Sequence, residues 1–139
     1  MNILVLNGSP KAQSDTFRLT DAFLKGIRKT GQHNITVIDV IKHNIAPCRG
    51  CFGCWQKTDG HCVINDDQNA ILRKIIETDL IIISFPLYCY GLPSHLKAVI
   101  DRLIPLVQMK MTEENSVVKA SEHLLSGFGE RVALFGRHV

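Results

Sequence analysis

The 139-residue sequence predicts one α/β domain in which helices cover both faces of a parallel sheet. Short apolar runs typical of strands alternate along the chain with segments whose apolar residues recur at helical spacing. This order of strand, helix, strand, helix, strand, helix, strand requires right-handed crossovers between parallel strands. The length suits a single domain with a real core, and the chain has no repeat, low-complexity tract or interdomain linker. We therefore treat residues 1–139 as one domain.

The first strand and helix follow from one buried run and one periodic segment. Ile3 to Leu6 is fully apolar, as a strand buried on both faces would be, and the turn Asn7-Gly8-Ser9-Pro10 follows it. A helix comes next and stops at Gly31. The β-branched run from Ile35 to Ile41 predicts the second strand. The apolar positions with helical spacing are Leu19, Ala22, Phe23, Gly26 and Ile27.

The second half of the chain repeats the alternation. Asn65-Asp66-Asp67 supplies cap-type residues for a helix. The run from Leu80 to Ser84 is the clearest strand, and we expect Pro86 to end it. The run from Arg131 to Phe135 predicts a fourth strand. Apolar residues with helical spacing are Ile71, Leu72, Ile75 and Ile76 before the third strand, and Leu96, Val99, Ile100 and Leu103 after it.

Composition and charge exclude several classes of function. Hydrophobic residues make up 45% of the chain and charged residues 21%, which is typical of a globular protein. The net charge of +3 is small and both signs are interspersed, so nothing favours nucleic-acid binding. The opening residues lack the features of a signal peptide, and the apolar run at 80–83 is too short to span a bilayer. We therefore expect a cytoplasmic protein without a membrane partner, whose thiols stay reduced.

The loop after the first strand has the features of a phosphate site. In parallel sheets of this kind, ligands bind outside the carboxyl ends of the strands. Residues 8–16 enter a helix there, where free N–H groups and the positive end of the helix dipole attract an anion. Gly8 permits a tight turn, and Ser9, Ser14 and Thr16 add hydroxyl groups that suit a phosphate monoester. The loop lacks the Walker and dinucleotide glycine motifs, and a plain turn capped by Ser14 or Asp15 explains it equally well.

The loop after the third strand is stiff and aromatic. Residues 85–93 contain two prolines, two tyrosines and a glycine, so a flat conjugated ring could stack there, with Gly91 leaving room for it. Taken alone, Tyr88 and Tyr90 are more simply explained as a cover for the end of the sheet. The two loops together favour one ligand with a phosphate at one end and a flat ring at the other, which describes FMN.

Four of the five cysteines lie in one stretch, where Cys48, Cys51 and Cys54 are spaced every third residue and Cys62 follows after a gap of seven. In a reducing compartment, clustered cysteines are more often metal-binding or redox-active than disulfide-bonded. The stretch alone leaves three interpretations open. It could hold a metal cluster, carry out redox chemistry as thiols, or form a buried loop of small, soft residues.

The motifs as a set resemble the flavodoxin-like NAD(P)H-dependent FMN reductases, a group that includes the iron–sulfur flavoproteins. The resemblance covers residues 1 to about 107, and it implies a flavodoxin-like three-layer sandwich with parallel strands in the order 2-1-3-4-5. It also implies bound FMN and a homodimer or homotetramer with the flavin near the subunit interface. The motifs are Asn7-Gly8-Ser9-Pro10-Lys11 with Ser14-Asp15-Thr16, then Cys51-x-x-Cys54 … Gly60-x-Cys62-x-x-x-Asp66-Asp67, then Pro86-x-Tyr88 … Pro93-x-x-Leu96-Lys97 … Asp101-Arg102.

The resemblance also implies roles for individual residues. The flavin carries the chemistry, so no side chain need be catalytic. NAD(P)H would pass a hydride to it, and a quinone, a flavin or another small aromatic acceptor would take the electrons. We interpret Asp101 and Arg102, with Leu96 and Lys97, as structural, since such a pair near a helix end is usually an exposed salt bridge or a packing anchor. Ser9, Lys11, Ser14 and Thr16 would hold the FMN phosphate, and Pro86, Leu87, Tyr88 and Gly91 would line the isoalloxazine.

Within this family the cysteine-rich loop, which we place at 42–65, has two interpretations. Its spacing falls within what iron–sulfur flavoproteins use, so Cys48, Cys51, Cys54 and Cys62 could ligate a [4Fe–4S] cluster that passes single electrons to FMN. Many relatives carry most of the same loop without a cluster, as a structural lobe beside the flavin, and we favour this clusterless interpretation. Two other classes are a flavin electron carrier and a zinc module. Short flavodoxins are usually strongly acidic, unlike this chain, and zinc prefers two separated cysteine pairs.

The C-terminal part departs from the family pattern. Residues 109–139 contain a candidate fourth strand, but nothing is left for a fifth. We therefore expect a shortened or divergent end. Apolar sheet surface left uncovered would favour association, which adds to the expectation of a homo-oligomer.

Overall fold

The computed structural model describes residues 1–11, 14–58, 60–107 and the backbone of 132–138. Within these residues one sheet of four parallel strands has the order β2-β1-β3-β4. This order and direction confirm the predicted α/β fold. The expectation that nothing is left for a fifth strand stays a prediction, because residues 108–131 lie outside the described residues. The strands are β1 (Asn2–Asn7), β2 (Asn34–Asp39), β3 (Leu80–Leu87) and β4 (Val132–His138).

Helices lie on both faces of the sheet, so the molecule has three layers. On one face, α1 packs Leu24 against Ile3, Val5 and Ile82. On the other face, α3 and α4 pack against the alternate residues of the same strands, which include Leu4 and Leu6. None of the described helices has the length and apolarity needed to cross a membrane. The helices are α1 (Asp15–Arg28), α2 (Gly53–Gln56), α3 (Gln68–Ile76) and α4 (Ser94–Asp101), with 3-10 turns at Val40–Lys42 and Ile104–Leu106.

Helical periodicity located α1 but not its buried face. Leu19 and Phe23 are 54% and 40% exposed. The buried residues are instead Thr16, Thr20 and Leu24, spaced four apart. The reason is a polar contact, since the Thr20 hydroxyl donates to Ser84 Oγ of β3 at 2.8 Å and turns this side of the helix toward the sheet. Ile76, at the end of α3, is likewise exposed rather than packed.

Two strand ends differ from expectation. The second strand stops at Asp39, and the 3-10 turn Val40–Lys42 takes up the rest of the predicted run. Pro86 does not end β3, which continues to Leu87. β1 ends opposite Ser84, whose carbonyl accepts from the Gly8 N–H on that side (2.8 Å). Pro86 lies two residues after Ser84, so its backbone nitrogen is on the same side of β3, beyond the point where β1 has ended. The N–H that proline lacks would therefore have no strand partner there, and the pairing of β3 is not interrupted.

A buried ion pair between Asp66 and Arg102 ties the cysteine-rich segment to the end of α4. The two side chains are 4% and 1% exposed, and the guanidinium contacts the carboxylate through both Nη atoms, at 2.5 and 2.9 Å. Both groups also bind Ala46, whose carbonyl accepts from Arg102 Nη1 (3.0 Å) and whose N–H donates to Asp66 (2.9 Å). Of the two alternatives that we gave for Asp101 and Arg102, the exposed salt bridge between them does not form, since Asp101 pairs with Lys97, and Arg102 is instead a buried packing anchor.

The Asp66–Arg102 pair makes the stability of the fold sensitive to acid. Burial raises the pKa of Asp66, but the hydrogen bond from Arg102 and those from backbone N–H groups outweigh burial and hold this pKa below its usual value. Because the folded-state pKa lies below the unfolded one, the stabilisation is complete above about pH 4 and is lost as the pH falls through the folded value.

We expect Asp66→Asn to lower the free energy of unfolding at pH 7 by about 3 kcal/mol, because it leaves the guanidinium buried without its counter-charge. The variant should also lose less stability than the wild type in acid. Urea unfolding at pH 7 and at a series of lower pH values measures both effects. Asp101→Asn, in an exposed pair on the same helix, is the control and should change stability by less than about 1 kcal/mol. Wild-type stability of Asp66→Asn at pH 7 would contradict this assignment.

Candidate functional site

The loops that follow β1 and β3 meet at the carboxyl edge of the sheet. The backbone hydrogen bond from Gly8 to Ser84 joins the start of the first loop to β3. Gly8 has no space for a side chain, since a Cβ there would lie 2.9 Å from Leu96 Cδ2 and 3.3 Å from Phe85 Cβ. The first loop is thus held against β3 and α4, beside the loop that we expect to contact a ring.

Three of the four residues predicted to hold a phosphate are buried in the first loop. Ser9, Ser14 and Thr16 are 3%, 8% and 5% exposed, whereas Lys11 is exposed. Ser14 caps α1, with its Oγ accepting from the Phe17 N–H at 3.1 Å. Ser9 Oγ accepts from the Lys11 N–H at 3.3 Å, which folds the loop back on itself. The result is a set of hydroxyl groups at a capped helix N-terminus, with an exposed lysine beside it, which suits an anion.

Sequence reasoning missed a polar chain beneath this loop. Asn7 is 5% exposed, its Oδ1 accepts from the Ser9 N–H (3.2 Å) and its Nδ2 donates to Asp39 Oδ1 (2.8 Å). Lys42 pairs with Asp39 at 2.5 Å, and Lys42 and Asn7 hold the pKa of Asp39 below its usual value against the smaller opposing effect of burial. Asn7 thereby orients the backbone of Ser9. The sequence feature that could have revealed this contact is that β1 and β2 both end in a polar residue. These two residues, Asn7 and Asp39, lie opposite each other in the sheet.

The second loop closes in a tight turn. Tyr88 and Gly91 exchange two backbone hydrogen bonds, at 3.1 and 2.9 Å. Cys89 and Tyr90 between them have φ values of 48° and 60°, in the left-handed region that costs a non-glycine residue about 1 kcal/mol or more. A Cβ on Gly91 would make only an ordinary contact, 3.6 Å from the Tyr88 carbonyl oxygen, so the packing of the loop itself does not demand glycine there.

The residues predicted to line a ring lie along the end of β3 and this turn. Pro86 is buried, Leu87 is half-buried and Tyr88 is 43% exposed. Tyr90, at the tip, is 88% exposed. The exposed part of this apolar and aromatic surface therefore begins at Leu87 and Tyr88, at the same edge of the sheet as the first loop.

The structure brings the four clustered cysteines to one cavity. Cys48, Cys51, Cys54 and Cys62 all line one open cavity. Cys54 is buried and Cys62 half-buried, and the other two are exposed. Burial raises the pKa of the Cys54 thiol, and the other three cysteines raise it further because they lie near enough to repel its charge. The fifth cysteine, Cys89, lies outside this group in the turn after β3.

The short helix α2 anchors the cysteine-rich segment against the 3-10 turn that follows α4. Trp55 Nε1–H donates to the carbonyls of Val107 (2.6 Å) and Ile104 (3.2 Å), and its ring stacks on Phe52 with centroids 5.3 Å apart. Phe52 itself has a φ of 50°, which starts the helix abruptly. These aromatic residues therefore fasten the lobe to the body of the domain.

The far end of the segment is fixed from α3. The side chain of Asn69 accepts from the Cys62 N–H (2.9 Å) and donates to the Cys62 carbonyl (3.1 Å). The backbone of Cys62 is therefore held in place by a side chain of α3.

The side chains around this cavity can be compared with the requirements of a single zinc ion and of a [4Fe–4S] cluster. In the part of the chain that the structure describes, no three His, Cys, Asp or Glu side chains converge closely enough to hold a single metal ion. A zinc ion draws four ligands to about 2.0–2.3 Å from one centre, so this arrangement fits zinc poorly. A [4Fe–4S] cluster is held by four cysteine thiolates, and four cysteines line this cavity.

Gly53 is required by the packing of this lobe. A Cβ at residue 53 would lie 2.7 Å from Val63 Cγ1, so we expect Gly53→Ala to destabilise the protein by about 1–3 kcal/mol. Gly26→Ala is the matched control, because it lies in α1 with nothing within 4 Å and should stabilise by up to about 1 kcal/mol. Urea unfolding compares the two. Val63→Ala should rescue Gly53→Ala by removing the clashing methyl, and a Gly53→Ala variant as stable as wild type would refute the close packing.

Comparison with known proteins places this geometry in a family. A sequence model of the flavodoxin-like fold family matches residues 1–135. This match extends beyond residue 107, where the recognisable motifs end. An iron–sulfur flavoprotein of Methanosarcina thermophila is 31% identical over 117 residues, covering 84% of this chain and 60% of that protein. An iron–sulfur flavoprotein of Methanocaldococcus jannaschii is 35% identical over 106 residues, covering 76% and 53%.

A solved structure supports the fold independently of these sequence matches. The FMN-dependent NADH-azoreductase from Bacillus anthracis str. Ames Ancestor, in complex with FMN, superposes with a TM-score of 0.62 at 18% identity. The superposition covers 99% of this chain and 68% of that protein. This chain spans little more than half the length of the curated relatives, 60% and 53%. The chain belongs to the flavodoxin-like fold family.

Proposed function

We propose that this chain is an FMN-dependent oxidoreductase that passes electrons from NAD(P)H to a quinone, a flavin or another small aromatic acceptor. The observation that carries the proposal is the meeting of two loops at one edge of the sheet. One offers buried hydroxyl groups at a helix N-terminus, and the other offers an apolar and aromatic surface. The two relatives described above are flavoproteins by name, which supports a flavin as the ligand.

The first loop would bind the phosphate of FMN. Ser9 and Ser14 lie at the turn and cap of α1, Thr16 lies in its first turn, and Lys11 can reach an anion from the exposed side. Asn7 holds the Ser9 backbone in place through the 3.2 Å hydrogen bond. This cradle is shaped by one helix N-terminus and suits a monophosphate, which favours FMN over FAD.

The second loop would contact the ring. Leu87 and Tyr88 would lie against the isoalloxazine, with Pro86 behind them and Gly91 leaving space at the turn. When bound, FMN would supply the hydride and electron-transfer chemistry. The chain's own residues therefore need only bind the flavin, orient it and shield one face. No side chain has to move a proton.

We also propose that the protein forms a homodimer or homotetramer. The exposed apolar side chains of Leu19 and Phe23 lie four residues apart on α1 and support association through that side of the helix. In such an assembly the flavin would lie near the subunit interface, as the family resemblance implies.

Replacement of Ser9 tests the phosphate cradle. We expect Ser9→Asp to weaken FMN binding at least tenfold, or about 1.4 kcal/mol, because a carboxylate would face the phosphate. Gln32→Asp adds the same charge at an exposed position after α1 and should bind FMN as the wild type does. Flavin-fluorescence titration measures FMN and FAD for each protein, with FAD expected to bind more weakly. Unchanged FMN affinity in Ser9→Asp would remove this loop from the site.

A [4Fe–4S] cluster beside the flavin is a second candidate function. The observation that favours it is the cavity lined by Cys48, Cys51, Cys54 and Cys62, since four cysteine thiols are what a [4Fe–4S] cluster requires. The names of the two curated relatives point the same way. These observations lead us to prefer the cluster over the clusterless lobe that we expected from sequence. Cysteine thiolates would hold the iron, and the group would supply single-electron transfer to the flavin.

Iron and acid-labile sulfide assays on anaerobically purified protein test the cluster. We expect about four of each per chain in the wild type and a loss of both in Cys51→Ser, which removes one ligand. Cys89→Ser is the matched control, since Cys89 is exposed and lies outside the cavity, and it should keep the wild-type content. Flavin without iron in the wild type would restore the clusterless interpretation.

A further inference from the structure

Arg102 is a buried cation that lines the cysteine cavity. Its side chain is 1% exposed, although it follows the last turn of α4. Arg49 also lines the cavity but is exposed. The rest of the wall, apart from the four cysteines and Gly50, is apolar and consists of Phe52, Val63, Ile64, Ile104 and Pro105. Arg102 is therefore the buried cation in a cavity lining that otherwise consists mainly of thiols and apolar side chains.

The hydrogen bonds of Arg102 leave one N–H unused. Nη1 donates to Asp66 and to the Ala46 carbonyl, and Nη2 donates to Asp66 and, at 3.5 Å, to the Ile64 carbonyl. Nε is buried and has no acceptor among the described residues. A buried donor without an acceptor costs about 1–3 kcal/mol, and native proteins rarely leave one. The occupant of the cavity is the natural source of the missing acceptor.

Cys62 connects this donor to the cavity. Burial lowers the pKa of the Arg102 guanidinium, but its contacts with Asp66 and with Cys62 outweigh burial and raise the pKa above its usual value. The backbone of Cys62 is itself fixed by two hydrogen bonds with the Asn69 side chain, which accepts from the Cys62 N–H and donates to the Cys62 carbonyl. The guanidinium and the Cys62 thiol are thus neighbours whose backbones are both held in place.

We propose that Arg102 is a positioning residue of the cysteine cavity, whose Nε–H donates a hydrogen bond to the sulfur that Cys62 supplies to a bound [4Fe–4S] cluster. The inference rests on the proposed cluster and adds a role for a residue that we interpreted from sequence as structural. A hydrogen bond to a ligating sulfur stabilises the more negative, reduced state, and so raises the reduction potential. Because Asp66 already neutralises the guanidinium charge, we expect the effect of Arg102 on the reduction potential to come from the hydrogen bond.

Arg102→Lys separates the hydrogen bond from the ion pair. Lysine keeps a cation for Asp66 but has no N–H at the Nε position. We expect the variant to retain iron and sulfide while its cluster becomes about tenfold harder to reduce, equivalent to 59 mV for one electron. Anaerobic spectroelectrochemistry of the loaded protein measures the midpoint potential. Lys97→Met removes an exposed cation from the same helix and should leave the potential unchanged.

A second variant covers the case in which Arg102→Lys does not fold. Asp66→Asn combined with Arg102→Met removes both charges and leaves no N–H donor on the side chain at residue 102, and it should lower the potential in the same direction.

Three results would overturn the inference. A wild-type potential in Arg102→Lys would mean that Nε–H has another acceptor, such as the buried Gln68 Oε1, which also lacks a partner among the described residues. A wild-type potential in the double variant would do the same. A wild-type protein with flavin but no iron would remove the cluster and the inference together, and the iron assay identifies that outcome before any potential is measured.

Discussion

The buried Asp66–Arg102 pair is the interaction on which the second half of the molecule depends. Its two charges lie at the end of the cysteine-rich segment and after α4, and both bind the backbone of Ala46 at the start of that segment. A segment of some twenty residues without a core of its own would otherwise be mobile. The pair closes it into a lobe, because neither charge can stay buried alone without a large desolvation cost.

Helix α4 joins the two candidate centres. At its start, Leu96 lies against Gly8 and so supports the first turn of the loop that we propose binds phosphate. After its end, Arg102 reaches the cysteine cavity. The helix that carries Leu96 and ends just before Arg102 has 8 residues, and Leu96 and Val99 are fully buried in the core. A rigid element of this length holds the two centres at a fixed separation, which electron transfer between them would need.

The parts of this structure that the sequence predicted are those set by local pattern. The apolar runs at Ile3 and Leu80 located the central strands, and Ser14 marked the helix start. The errors came from contacts between distant residues. The buried face of α1 depends on the hydrogen bond between Thr20 and Ser84, which lie 64 residues apart. The spacing of apolar residues within one helix cannot predict a contact with so distant a residue.

The site shows the same division. Clustered serines and cysteines are visible as motifs, whereas Asn7 beneath the first loop is an ordinary strand end until Asp39 is placed beside it. Arg102 pairs with Asp66, 36 residues away, and not with its neighbour Asp101. The Asp66 carboxylate is the one that can be buried with it, since it also accepts a hydrogen bond from the Gln68 N–H at the start of α3. Such choices depend on desolvation in the assembled fold, so they follow topology rather than spacing.

The contacts of Arg102 also order the events of biosynthesis. Arg102 reaches Ala46 across 56 residues of chain, so the cysteine cavity lacks a wall until translation has passed residue 102. The thiols between residues 48 and 62 leave the ribosome first and stay accessible while the following residues are made. Oxidation competes for them in that interval. A group held by these cysteines, as we propose, would meet a complete cavity only after α4 has been made, and the thiols would have to stay reduced until then.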